Sequence, residues 1–541
     1  MDSQHKSFSK AIKQLKSNAE KGNLLSMFQL FDSYRTGKNV EEVSEELSEK
    51  YFEMIVDNLS KSFFIIDSIK LFDFRRFRSL EINFDKHITV IIGNNGTGKT
   101  AIAEAIAKLL SWFSHNLVKG NVNGKRIHEL DINVACESYS EVFGSFKLGE
   151  KSLIELSLAL PIKGYAGSIS SSVAQPKLTG DMYREVASRK IINLPFFAFY
   201  SVERSNVRLP KFSTEKTFND IANSRFNALK DGLEASTQLE EFSRRYIELY
   251  NLAEGETSTE IVEKKKTISY LTRLIDKFSK DTSSVEYSEL LRELETSQTE
   301  LEALIGKCPT RFSDMLERVN SAIETLVPNV SKLHVDRSTG NQRILVKTFD
   351  STVNITQLSQ GQKSLLALSG DLALRLVTLN PDSNNALHSY GIVLIDEIEL
   401  HLHPKWQQEV VMELRNTFPN IQFILTTHSP QVLSTVDNKC IRQISYDDEG
   451  HLSVVTPKFQ TKGVTSADIL ARIMETNSTP ENVEEAAWLN DFSRYLKAGD
   501  NESLERVYSK IKSHYGNEHP VVSDCESQIR ISEMKARLGR S

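Results

Sequence analysis

The stretch VIIGNNGTGKTAIAEAIAKLL, residues 90–110, decides the fold of this chain. An apolar run leads into a glycine-rich loop, and the pattern of an amphipathic helix follows. The loop matches G-x-x-x-x-G-K-[ST] at Gly93, Gly98, Lys99 and Thr100. Such a strand, loop and helix bind phosphate, because the loop N–H groups and the positive N-terminus of the helix point at the same place. The sequence therefore predicts an α/β fold that binds a nucleotide here.

Each part of this loop has a predicted task. The Lys99 ammonium can reach the β- and γ-phosphates of ATP, and the Thr100 hydroxyl is a predicted ligand of Mg²⁺. The predicted nucleotide-binding residues of the loop are Gly93, Asn94, Asn95, Gly96, Thr97, Gly98, Lys99 and Thr100.

Two other apolar strands end in side chains suited to phosphoryl transfer. In GIVLIDEIELHLHP (391–404), Asp396 is the second predicted Mg²⁺ ligand, and Glu397 is the predicted catalytic group that polarises the attacking water. In IQFILTTHSP (421–430), His428 lies at the strand tip, where it can contact the γ-phosphate or that water. Together with the glycine loop, these strands predict an ATPase.

A second loop, LSQGQKSLLALSG (358–370), lies far along the chain from the first. It resembles the signature motif L-S-x-G-Q of ATP-binding-cassette (ABC) ATPases, with Ser359, Gly361 and Gln362 as the implied nucleotide contacts. In that family the signature of one subunit closes over the glycine loop of the other. The resemblance therefore implies a homodimer through ATP-sandwiched heads, in which the two loops of one chain serve different nucleotides.

The order of these motifs over about 60–450 resembles the branch of SMC, RecF and OLD-type ATPases, whose heads carry a coiled-coil insertion. Here apolar residues at heptad-like spacing predict a short antiparallel helical hairpin, with two ordinary surface helices as the alternative. These residues are Ile261, Ile268, Leu271, Ile275 and Phe278, then Tyr287, Leu291, Leu294, Leu301 and Ile305.

The expected fold class is α/β: an ABC-type ATPase head with mixed sheet lobes, a short helical-hairpin insertion, and helical N- and C-terminal regions. The N-terminal region resembles a Sel1-type tetratricopeptide repeat, which usually docks partners; a helical pack against the main domain is the alternative. The expected regions are 1–60 (N-terminal helices), 61–240 (first half of the head), 241–310 (hairpin), 311–456 (second half of the head) and 457–541 (C-terminal, partner-binding helices).

The amino-acid composition indicates to which classes of protein this chain can belong. A net charge of −6, with 39% hydrophobic and 26% charged residues, is typical of a soluble protein and argues against a strongly basic nucleic-acid binder. The four cysteines form no CxxC pair, which favours a reducing compartment. The polar N-terminus lacks the apolar run of a signal peptide, and no apolar stretch approaches ~20 residues. We therefore expect a cytoplasmic protein that does not enter a membrane.

Three features remain open on the sequence alone. The glutamine that helps hold Mg²⁺ in the family has no clear match, and Glu203 or Arg204 in FYSVERSN takes its expected place. His401 and His403 form an H-x-H, for which contacts across the dimer are favoured over a metal site. The basic run FRRFRSL (74–80) either touches nucleotide or nucleic-acid backbone, or forms a solvated strand edge.

The chain shows no nuclease site of its own. The Toprim acids of OLD nucleases are not found, and SHYGNEHP (513–520) is too compact for an HNH motif. The whole layout resembles the PtuA ATPases of Septu anti-phage defence, especially their retron-associated form. That resemblance implies ATP and Mg²⁺ as cofactors and a separate HNH nuclease as partner, with a reverse transcriptase and its msDNA in retron systems. The alternative is a DNA-repair clamp of the RecF or Rad50 kind.

Overall fold

The structure is a computed structural model. It describes residues 2–202, 224–234, 239–255, 259–278, 290–300, 311–338, 341–447, 450–474, 476 and 483–537. The chain divides into two compact units, Met1–Gly463 and Val464–Ser541.

The α-helices within the described residues are numbered here in chain order. They are α1 (Asp2–Glu20), α2 (Leu24–Thr36), α3 (Glu45–Ser60), α4 (Lys99–Val118), α5 (Ala174–Arg189), α6 (Leu239–Gly255), α7 (Thr259–Phe278), α8 (290–300), α9 (Arg311–Leu326), α10 (Gln360–Leu379), α11 (Pro404–Thr417), α12 (Pro430–Leu433), α13 (Ser466–Arg472), α14 (Glu484–Ala498), α15 (Asn501–Tyr515) and α16 (Pro520–Arg537).

The strands within the described residues form three sheets. They are β1 (Phe64–Phe74), β2 (Phe77–Asn83), β3 (Ile88–Gly93), β4 (Tyr139–Leu148), β5 (Ser152–Pro161), β6 (Phe196–Tyr200), β7 (Ser331–Asp336), β8 (Arg343–Thr348), β9 (Ser351–Asn354), β10 (Gly391–Ile395), β11 (Ile421–Thr426), β12 (Ile441–Tyr446) and β13 (Leu452–Val455).

A six-stranded sheet in the order β13-β12-β3-β11-β10-β6 forms the centre of the first unit. Its strands β12, β3, β11, β10 and β6 run parallel, and β13 pairs antiparallel at the edge. β6, β10 and β11 are buried along their whole length, which explains why their sequences are continuous apolar runs. The parallel arrangement brings the ends of β3, β11, β10 and β6 to one edge.

A four-stranded antiparallel sheet, β2-β1-β4-β5, packs beside the central sheet. Gln422 on β11 joins the two sheets and is fully buried. Its Oε1 accepts the backbone N–H of Ile66 at 2.8 Å, and its Nε2 donates to the carbonyls of Ile66 at 2.9 Å and Asp85 at 2.8 Å. One amide side chain therefore satisfies backbone groups of β1 that the central sheet covers.

The N-terminal helices α2 and α3 pack against β5 and α5 of the head. The N–H of Leu24 donates to Ser152 Oγ at 2.8 Å, and Arg35 pairs with Glu185 at 3.1 Å. The guanidinium of Arg189 lies 4.8 Å from the ring centroid of Phe52. These contacts fit a helical pack against the head, and the resemblance to a Sel1-type repeat stays a prediction. A partner-binding role for these helices stays a prediction.

The insertion contains α7 and α8, which are joined by an ion pair between Lys264 and Glu300. Leu271 on α7 is buried, as its place in the heptad-like pattern predicts. The predicted turn at 279–286, together with Leu301 and Ile305, lies outside the described residues. Helix α6, within the span expected for the insertion, instead belongs to the head: Phe242 packs against Gly370 of α10, and Tyr246 donates a hydrogen bond to Asn320 at 2.8 Å.

The second unit contains α13–α16 and has its own core, formed by Phe492, Leu504, Ile511, Val522 and Cys525. The histidines of SHYGNEHP take part in local packing here. The His514 ring lies 4.7 Å from that of Tyr515, and the His519 ring 4.8 Å from the same tyrosine. His519 Nδ1 also accepts the N–H of Val521 at 3.2 Å, near the start of α16.

The expected α/β class, with an interrupted head and helices at both ends, is confirmed. In the part of the chain that the structure describes, every helix is too short or too polar to serve as a membrane span.

Removing the hydrogen bonds of Gln422 should loosen the junction between the two sheets. We expect Gln422→Leu to lower the free energy of unfolding by about 3 kcal/mol, because buried backbone groups of Ile66 and Asp85 lose their partner. Urea unfolding followed by tryptophan fluorescence measures this. Gln408→Leu, on the exposed face of α11, is the matched control and should change stability by less than about 0.5 kcal/mol. An equal effect of both variants would contradict this role of Gln422.

Candidate functional site

The predicted site residues of the glycine loop, together with Asp396, Glu397 and His428, meet at one edge of the central sheet. β3 ends at Gly93 and opens the glycine loop, β10 leads into Asp396, and β11 leads into His428. β6, next to β10, ends at Tyr200. Ligands of parallel α/β sheets bind beyond the carboxyl ends of the strands, and these residues occupy that position.

The glycine loop can take its shape only with glycine at two positions. Gly98 has φ of 97° and Gly96 has φ of 79°, both in the left-handed region. A Cβ on Gly98 would lie 2.6 Å from the ring of Phe77, and one on Gly96 would lie 2.9 Å from the guanidinium of Arg76. The tip residues Asn94, Asn95 and Gly96 are exposed, whereas Thr97 is buried and donates its hydroxyl to the Asn94 carbonyl at 2.9 Å.

Lys99 folds back over the loop that precedes it. Its ammonium donates to the carbonyl of Gly93 at 2.9 Å and to that of Asn94 at 3.2 Å. Burial lowers the pKa of Lys99, while the carboxylates of Asp396, Glu397 and Glu399 raise it, and the net direction is downward. A partly desolvated cation among backbone dipoles is a strong site for a phosphate oxygen.

Asp396 joins three elements of the chain. Its carboxylate accepts the hydroxyl of Thr100 at 2.8 Å and that of Thr426 at 2.5 Å, and it is 1% exposed. Its own N–H donates to the carbonyl of Tyr200 at 2.8 Å. Carboxylate and hydroxyl oxygens are the hard donors that Mg²⁺ prefers, so Thr100 and Asp396 fit the predicted metal site.

Glu397 follows at once and has a strained backbone, with φ of 47°. Its N–H donates to Thr426 Oγ1 at 2.8 Å, so one threonine hydroxyl holds both acids of the motif. A non-glycine residue in the left-handed region costs free energy and is typical of a functional site. Thr426 was not singled out in the sequence, where a polar residue at a strand end was its only signal.

Glu399 is a second residue that the sequence did not single out. Its carboxylate accepts the hydroxyl of Thr427 at 2.7 Å and the backbone N–H of His428 at 2.5 Å. It therefore ties the loop after β10 to the tip of β11. Burial lowers the pKa of His428, and Lys99 lowers it further against the opposing effect of the carboxylates. The neutral imidazole is thus the main form at neutral pH.

The signature residues have their contacts elsewhere in the head. Ser359 caps α10: its hydroxyl accepts the N–H of Gln362 at 3.3 Å, and the Gln362 side chain donates to the carbonyl of Pro328 at 3.1 Å. A Cβ on Gly361 would lie 2.6 Å from the carbonyl of His401. The start of α10 therefore packs against the loop that follows Asp396 and Glu397.

One histidine of the H-x-H and two arginines of the basic run have polar partners within the chain. His403 Nδ1 accepts the N–H of Lys405 at 3.3 Å as the cap of α11. Arg75 pairs with Asp131 at 2.9 Å and with Glu104, and Arg78 pairs with Asp73 at 2.9 Å. The structure shows no group of three or more potential metal-ligating side chains within the residues it describes.

The place expected for the family's glutamine follows β6, beside the candidate metal ligands. Ser201 and Val202 line a cavity of about 430 Å³ together with Thr100 and Asp396. Glu203 and Arg204, the candidates for that role, lie outside the described residues.

Known proteins resemble this chain over most of its length. The family model described as an AAA ATPase domain matches residues 65–433. The Retron Vc95 probable ATPase of Vibrio cholerae serotype O1 biovar El Tor is 31% identical over 516 residues, which cover 93% of this chain and 97% of that one. The Retron Ec83 probable ATPase of Escherichia coli is 27% identical, covering 96% of each chain.

A Septu protein PtuA from Bacillus mycoides (strain KBAB4) is 39% identical over 112 residues, which cover 21% of this chain and 15% of that one. The match to the retron proteins extends across both units of the fold, whereas this one is local. The chain therefore belongs to the family described as an AAA ATPase domain and, within it, with the retron ATPases, and it is an ATPase.

Proposed function

We propose that this ATPase works as a homodimer that holds two MgATP molecules between its heads. In each site the glycine loop, from Gly93 to Thr100, binds the phosphates of one nucleotide. Ser359, Gly361 and Gln362 of the other subunit cover the γ-phosphate through the start of α10. The nucleotide is then bound fully only when two chains meet.

We infer from the contacts within one site that each residue has a separate role in binding or hydrolysis. Thr100 and Asp396 hold Mg²⁺, which neutralises charge on the phosphates, and Lys99 neutralises more of it. Glu397 accepts a hydrogen bond from the attacking water and aligns it with the γ-phosphorus. His428, mainly neutral, contacts the γ-phosphate through its ring, while Glu399 fixes the backbone beneath it.

One observation carries this proposal: the hydrogen bond between Thr100 and Asp396, which joins residues 296 positions apart. It brings the glycine loop and the acidic strand end into one site. The signature residues contact Pro328 and the loop at His401 instead. This arrangement supports a signature that serves the nucleotide of a second copy.

We further propose that the ATP state of the dimer controls a separate HNH nuclease in an anti-phage defence complex. Membership of the retron family supports a complex that also contains a reverse transcriptase and its msDNA. The C-terminal unit, with a core of its own, is the region proposed to bind a partner.

The Glu397 proposal predicts a trapped dimer. We expect Glu397→Gln to lower kcat for ATP hydrolysis by about 100-fold or more while ATP binding is kept, because the attacking water loses its acceptor. Light scattering after size exclusion should show a dimer with ATP and Mg²⁺ and a smaller species without ATP.

Glu409→Gln on α11 makes the same charge change at an exposed position and is the matched control; it should behave like the parent. A Glu397→Gln variant that hydrolyses ATP at the parental rate would contradict the assigned role.

Expression of the tagged chain within its native operon tests the partner proposal. We expect an HNH protein to co-purify, with a reverse transcriptase and msDNA where the operon encodes them. Deletion of 464–541, a unit with its own core, should release the nuclease and leave ATP hydrolysis intact. A chain that purifies alone as an ATP-dependent dimer and binds duplex DNA would contradict the defence complex and favour a repair clamp.

A further inference from the structure

A buried ion pair lies in the middle of the signature helix. Asp371 and Arg375 of α10 have side chains that are 1% and 3% exposed, and Arg375 Nε donates to Asp371 Oδ2 at 2.7 Å. Along the helix axis, Asp371 lies roughly 18 Å from Ser359 at 1.5 Å per residue. Burying two charges is costly unless they are well hydrogen bonded, and replacing such a pair by apolar residues is often neutral or stabilising. Stability alone therefore gives little reason for this pair.

The ion pair is hydrogen bonded to two separate segments of the head. On one side, the hydroxyl of Tyr200 at the end of β6 donates to Asp371 Oδ2 at 2.9 Å. On the other, Arg375 Nη1 donates to the carbonyls of Ala228 at 2.8 Å and Lys230 at 2.7 Å. Both segments are thus attached to the same two turns of the signature helix.

These segments form two walls of the cavity beside Thr100 and Asp396. The end of β6 contributes Phe199, Ser201 and Val202, and the 228–234 segment contributes Leu233 and Glu234. The walls are themselves joined, because the N–H of Phe199 donates to the carbonyl of Gly232 at 2.8 Å.

The last step of the connection reaches the candidate metal ligand directly. The N–H of Asp396 donates to the carbonyl of Tyr200, the same residue whose side chain contacts the signature helix. The backbone that supports Asp396 is therefore linked to α10 through a single residue.

We propose that Tyr200, Asp371 and Arg375 are positioning residues that couple the two nucleotides of the dimer. When Ser359 at the start of α10 contacts the nucleotide of the second copy, the helix moves as a rigid body. The ion pair carries that movement to the cavity walls and to Asp396, so that hydrolysis in one site depends on engagement at the other. This inference rests on the proposed dimer.

The test is a cycle of two substitutions, Tyr200→Phe and Ser359→Arg. Tyr200→Phe removes only the hydroxyl that reaches Asp371. We expect kcat for ATP hydrolysis to fall about tenfold, with KM for ATP changed by less than about twofold, because the ground-state contacts of the nucleotide remain. In the Ser359→Arg background, where the signature cannot engage, Tyr200→Phe should lower the residual rate no further.

Thr378→Val is the matched control, since its hydroxyl is also buried on α10 but donates within the helix, to the carbonyl of Leu374 at 2.7 Å. It should leave kcat unchanged. Asp371→Asn changes the acceptor of the same Tyr200 hydrogen bond and should lower kcat in the same way as Tyr200→Phe. Circular dichroism melting of each variant shows whether a loss of rate reflects a loss of fold.

Two outcomes contradict the inference in different ways. If Tyr200→Phe lowers kcat by the same factor in both backgrounds, or not at all, the coupling is wrong while the shared site stands. If Ser359→Arg alone hydrolyses ATP at the parental rate, the shared site itself is wrong, and the coupling falls with it.

Discussion

The buried carboxylate of Asp396 is the group on which the candidate site depends. A carboxylate that is 1% exposed must be hydrogen bonded to be tolerated, and its partners come from distant parts of the chain. Thr100 brings the first residues of α4, Thr426 brings the end of β11, and the Asp396 N–H brings the end of β6 through Tyr200. These contacts hold the glycine loop, the acidic motif and the end of β11, which leads into His428, at one edge of the sheet.

The same edge explains why one chain has two loops suited to phosphate. The glycine loop and Asp396 meet within the chain, since the Thr100 hydroxyl donates to the Asp396 carboxylate at 2.8 Å. The start of α10 instead packs against the loop after Glu397, near His401. We propose that its signature residues serve the nucleotide of a second copy, as a symmetric pair of shared sites requires.

Much of this could be predicted from the sequence, because the predictive signals are local. A glycine loop between a strand and a helix, and acids after an apolar run, predict the positions of Lys99, Asp396 and His428 without any knowledge of the fold. The expected α/β class and the ATPase family were found in the same way, and both are confirmed.

What the sequence did not reveal depends on contacts between residues far apart. Gln422 joins two sheets through residues more than 300 positions away, and nothing in IQFILT marks it as different from a surface glutamine. In the sequence, Glu399 and Thr426 look like ordinary polar residues. Their contacts form only because the loop after β10 lies beside the end of β11 in the fold. The Tyr200 link to Asp371 spans 171 positions and has no motif at all. Long-range polar contacts of this kind follow from the fold.

The sharing of each nucleotide between two chains can be tested by mixing two inactive variants. Lys99→Met removes the phosphate-binding lysine, and Ser359→Arg blocks the signature, so neither homodimer has an intact shared site. We predict that an equal mixture hydrolyses ATP clearly faster than the sum of its parts, at no more than roughly a quarter of the parental rate. Roughly half of the dimers are mixed, each of these keeps one intact site, and the Ser359→Arg chain that supplies the glycine loop of that site lacks the proposed coupling. A mixture no more active than the sum of its parts would show that each chain hydrolyses its nucleotide alone, and would contradict the account.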